Sequence, residues 1–148
     1  MLFLWYAVLG FILAVPISGE ASSKTAYAIR IEQTGISRQQ VISCAEQELC
    51  SRDVTLQGRR QGVTVDLRVD VAMAYGTAYI KFKAADGYLY TSAGQPYVAI
   101  PFAPHYPSSQ KVELLKPPPG MGGGGMVPLV LRTAEPMAAM TIAITSNE

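Results

Sequence analysis

The chain is poor in the residues that most often perform chemistry. It holds one histidine and two cysteines in 148 residues. That set cannot complete a four-ligand zinc site. Cys44 and Cys50 lack the CxxC spacing of a redox-active pair and its thiolate-stabilising helix N-terminus. No Gly-x-Ser-x-Gly elbow is present to raise a serine nucleophile. The glycines at 122–125 are not followed by Lys-Ser/Thr, and a strand pattern rather than a helix comes next, which excludes a phosphate loop. Charge of one sign is missing too. Twelve basic residues stand against eleven acidic ones, a formal +1, too even to argue for nucleic acid or an anionic surface as partner. There is no internal repeat and no regular βα alternation, which disfavours a parallel sheet. These absences predict a non-catalytic protein without a cofactor. A small hydrolase would need distant carboxylates to converge in the fold.

What is present begins with residues 1–17, MLFLWYAVLGFILAVPI, an apolar run with no charged side chain. Pro16, Ser18 and Gly19 break it, and Gly19-Glu20-Ala21 offers the small residues a signal peptidase reads. The expectation is a signal peptide cut after Ala21. If it is uncut, residues 1–19 are the chain's one contact with a membrane, because such a run just spans a core of ~30 Å. A buried terminal element is the third reading. No basic side chain precedes the run, and Lys24 is the first one after it, so the orientation signal is weak; a misassigned start would have the same effect. Residues 22–148 then form a single domain, secreted or periplasmic. Cys44 and Cys50 suit an oxidising compartment and a disulfide. Six positions on a helix rotate by about 240°, so a bridge between them requires a turn.

Strand signals dominate from residue 25 onward. Tyr27, Ile29 and Ile31 alternate with Ala28, Arg30 and Glu32. The stretch 37–49 is open between a short helix capped by Ser37 and a strand through Val41 and Ile42. Residues 63–71 alternate valine and leucine with Thr64, Asp66, Arg68 and Asp70, and with 53–57 they read as a hairpin across a turn at 58–62. A second alternating run covers 77–83. Further strands are expected at 88–90, 97–102, 111–115, 127–133 and 138–145, with a Pro/Gly-rich loop at 117–126. Seven to nine short strands predict an all-β antiparallel sandwich, Ig-like or related, with a closed barrel as the alternative.

Two surfaces attract a functional reading. The soft thioethers of Met121 and Met126, with His105 upstream, suit copper(I). The C-terminal Val-Pro-Leu-Val-Leu-Arg and its final alternating strand resemble periplasmic copper chaperones of cupredoxin-like fold. The resemblance covers about twenty-two residues and implies a copper-binding role, although the His-x-Met pairs of such a site are missing. Met140 falls on the apolar face of its strand, as core packing would have it. The second surface is aromatic. Six tyrosines fall between positions 75 and 106, and Tyr79 shares a strand face with Lys81 and Lys83. Tyrosine beside cations is the composition of a recognition surface for protein or glycan. Tyr79, Lys81, Lys83, Tyr88 and Tyr90 are its expected residues, with Arg59 and Arg60 at a hairpin tip as an added anionic contact. Asp66 and Asp70 flank Arg68 on one strand face, a pattern of local charge pairing.

Overall fold

A computed structural model describes residues 24–33, 35–117 and 134–147. The expected N-terminal segment, the late strand at 127–133 and residues 118–126 of the Pro/Gly stretch lie outside the described residues. The described chain is an all-β antiparallel sandwich of two five-stranded sheets, not closed into a barrel.

The strands are β1 (Ala26–Glu32), β2 (Gln39–Ala45), β3 (Leu49–Gln57), β4 (Thr64–Ala74), β5 (Thr77–Ala84), β6 (Gly87–Tyr88), β7 (Tyr90–Thr91), β8 (Val98–Pro101), β9 (Ser108–Lys116) and β10 (Glu135–Ser146). The first sheet has the order β2-β1-β10-β9-β7. The second runs β3-β4-β5, and β6 and β8 share the far edge of β5. Period-two alternation explains the core. Ile29, Ile31, Ile142 and Ile144 from one sheet face Val69, Val71, Ile80 and Phe82 from the other, all at most 1% exposed. Met140 is also buried in this core.

The ambiguous stretch 37–49 is extended: β2, a tight turn and the start of β3. Gln47 takes a positive φ of 59° in that turn, and its N–H donates to the Met73 carbonyl at 2.8 Å. The turn brings Cys44 and Cys50 to a Cα separation of 5.9 Å, and they form the expected disulfide. The bridge joins different sheets, because β2 and β3 are neighbouring edge strands of the two layers. Two further contacts close the same side. The Arg52 guanidinium donates to the Val41 carbonyl. The Gln33 amide pairs with the Gln57 backbone, donating to its carbonyl at 2.8 Å and accepting from its N–H at 2.7 Å.

Two very short strands raise the count to ten. Leu89, between β6 and β7, is where the chain passes from one sheet to the other. Its side chain is buried, and its N–H donates to the Phe82 carbonyl at 2.8 Å. No helix among the described residues is long and apolar enough to cross a membrane.

Candidate recognition surface

The outer face of the second sheet is built by the alternate residues of the core strands. Cross-strand register sorts those nearest the two lysines into three rows. Leu49, Ala72, Tyr79 and Ala99 form one row, and Ser51, Asp70 and Lys81 the next. The third is Asp53, Arg68, Lys83 and Tyr88. Carboxylates therefore lie on β3 and β4, ammonium groups on β5, and tyrosines along the outer edge.

The aromatic edge is held in place. Tyr79 meets Tyr97 edge-on, with ring centroids 5.8 Å apart. The Tyr88 ring lies under both ammonium groups, at 5.8 Å from Lys81 Nζ and 5.6 Å from Lys83 Nζ. Tyr79 and Tyr88 are 41% and 42% exposed, so each ring keeps one half on the sheet and offers the other to solvent. The β3–β4 side is a hydrogen-bonded charge lattice. The Thr55 hydroxyl donates to Asp66 at 2.7 Å, and Ser51 to Asp70 at 2.6 Å. Arg68 Nε donates to Asp70 at 3.1 Å. These carboxylates are occupied by neighbours and do not converge on a pocket.

The Ser51 hydroxyl, helped by Arg68 and Lys83, holds the Asp70 carboxyl below its ordinary value of 3.8, against a smaller opposing effect of burial. A depressed folded-state pKa gives stability that is present above 3.8 and lost as pH falls through the folded value. Ser51→Ala should therefore raise the Asp70 titration midpoint toward 3.8, read by carboxyl-carbon NMR. The same variant should lose stability at neutral pH and none at a pH below the folded value. An unmoved midpoint would remove Ser51 as the cause.

The structure brings together four residues of the expected surface, Tyr79, Lys81, Lys83 and Tyr88. It separates the others. Tyr90 lies beyond the Leu89 crossover, half-buried in β7 and paired with Leu115 of the opposite sheet. Arg59 and Arg60 sit at the tip of the β3–β4 hairpin and reach across to the first sheet. Arg59 pairs with Glu113, and Arg60 with Glu135 at 3.7 Å, so both bridge the sheets at the far end of the sandwich. Asp86 does the same there, accepting from Lys116 Nζ at 2.6 Å; that bond holds its carboxyl low and the ammonium high.

Tyr97 and Leu49 are the residues that sequence reading missed. For Leu49 the signal exists: Val54 and Leu56 point inward, and carrying that parity back along β3 puts residue 49 outside. For Tyr97 parity with Val98 and Ile100 puts the ring outside, but nothing in the sequence sets it beside Tyr79, because their strands are separated by two turns.

His105 is exposed in the loop before β9, and Met121 and Met126 lie outside the described residues. Among the described residues, the grouping with metal-ligand proximity is Cys44, Glu48 and Cys50, and the disulfide uses both of its sulfurs. Compared with protein-family models, curated proteins and solved structures, the chain matches none.

Proposed function

We propose that this chain is an exported, non-catalytic β-sandwich whose second sheet binds another macromolecule through Tyr79, Tyr88, Tyr97, Lys81 and Lys83. One observation carries the reading: three tyrosines fixed by an edge-on contact and two cation–π contacts, half-open along one edge of an otherwise solvated charge lattice. Rings already held in place lose little side-chain entropy on binding, and tyrosine is among the residues that dominate interface energies. The two lysines beside the tyrosines favour a protein that carries carboxylates over a neutral glycan. Export is supported by the apolar run at 1–17 and by the disulfide, which suits an oxidising compartment such as the periplasm or the outside of the cell.

The test is the double variant Tyr79→Ala/Lys81→Ala. Both side chains point away from the core, so the melting temperature should stay within about 3 °C of wild type. Affinity for the partner should fall by roughly 100-fold or more, the scale of two interface anchors. Undiminished affinity in a folded double variant rejects this surface.

A further inference from the structure

We infer that the end of the sandwich where the chain comes in from residue 24 is seated on a lipid bilayer, with Leu49, Tyr75 and Tyr106 at the headgroup boundary. Leu49 lies in the same row as Tyr79, two strands away, but the argument for this end does not depend on the aromatic edge.

A ring of backbone contacts defines this end. Glu46 N–H donates to the Thr25 carbonyl at 3.1 Å, and Gln47 N–H to Met73. Phe102 N–H donates to Gly76 at 2.9 Å, and Asn147 N–H to Ala26 at 3.0 Å. The Ser146 hydroxyl donates to Pro104 at 2.6 Å. One rim therefore carries the β2–β3 turn, the β4–β5 turn, the loop before β9, the last residues of β10 and the start of β1.

Three observations make the rim a surface for lipid. First, the three most exposed large apolar side chains among the described residues all stand on it: Tyr75 at 100%, Leu49 at 86% and Tyr106 at 75%. They come from three different segments, Leu49 and Tyr75 line one open recess of the rim, and amphipathic tyrosine is the residue of membrane–water boundaries. Second, Tyr75 occupies a strained position. The turn Tyr75-Gly76 has φ values of 50° and 74°, the mirror-image hairpin geometry in which Asn or Gly is preferred. A tyrosine there costs local stability and gains a fully exposed side chain at this end. Third, in the uncut form, on which this proposal rests, the chain reaches this end from the uncharged apolar run 1–17. Eight residues from Ile17 to Thr25 span at most ~28 Å. β10 alone extends about 40 Å, so a membrane holding that run lies within reach of this end and not of the far one. Among the described residues the rim's charged side chains are Lys24, Glu46 and Glu48, one cation against two carboxylates, so contact rests on apolar insertion and not on anionic lipid.

The test uses the full chain reconstituted in phosphatidylcholine vesicles, with Trp5→Phe to leave no native tryptophan. Single reporters Tyr75→Trp, Tyr106→Trp and, at the far end, Gln61→Trp are compared using phosphatidylcholine brominated high on the acyl chain. Melting temperatures confirm that each variant is folded. The reporters at 75 and 106 should be quenched ~3-fold or more relative to the one at 61, as expected for side chains at the interface. Replacing about a third of the lipid with phosphatidylglycerol should not increase that quenching. Equal quenching at all three sites overturns the proposal. So does burial of the reporter at 75 that rises with protein density in the vesicle without bromolipid quenching, because a second copy of the chain would then cover the rim.

Discussion

Phe82→Ala is expected to remove about 4 kcal/mol of folding stability, the usual cost of deleting a buried phenyl ring. Phe82 sits on β5, is 1% exposed and pairs with Val69, itself fully buried. Its carbonyl also accepts the Leu89 N–H at the point where the chain changes sheets. The cavity would open between the layers beside that crossover, where β6 and β7 are too short to collapse into it. A domain of this size holds roughly 5–15 kcal/mol in total, so the variant should unfold at a much lower urea concentration with an unchanged slope. Tyr79→Ala, three positions away on the outer face of the same strand, should cost about 1 kcal/mol or less. Equal losses at the two sites would mean that the faces of β5 are assigned wrongly.

Replacing both cysteines, Cys44→Ala/Cys50→Ala, should cost about 2 kcal/mol from the unfolded state's regained freedom. That corresponds to a fall of roughly 8 °C in melting temperature for a domain of this size. The closed loop is short, so chain entropy alone is modest. The location adds a second, local effect. The bridge pins edge strands of different sheets, and among the described residues the Arg52–Val41 and Gln33–Gln57 hydrogen bonds support the same side without it. Amide exchange should accelerate in β2 and β3 more than in the central strands β4 and β10. Uniform acceleration would show that the bridge acts through the unfolded state alone.

Much of the fold was legible in the sequence because strand alternation is strong. Val65 through Val71 and Ala78 through Phe82 separate core from surface residue by residue, and the observed burial follows them. The stretch 37–49 was not legible. Its apolar residues are too few to set a period, and the turn depends on a left-handed Gln47, which composition does not announce. The recognition surface was half legible. Tyr79, Lys81 and Lys83 follow from the parity of one strand. Tyr88 joins them and Tyr90 leaves because Leu89 carries the chain across to the other sheet, a tertiary event with no local signature. Arg59 and Arg60 looked like free cations because their partners, Glu113 and Glu135, are more than fifty residues away. The rim at the chain's point of arrival was hidden for the same reason: Leu49, Tyr75 and Tyr106 meet only through the topology.

The most direct test of the recognition surface is a photo-crosslinking scan in the cells that make the protein. A photoreactive amino acid is placed singly at Tyr79, Lys83 and Tyr88, at Arg30 and Lys111 on the outer face of the first sheet, and at Gln61 at the far end. The account predicts one recurring adduct from the first three positions and none from the other three. Adducts confined to Arg30 and Lys111 would contradict it.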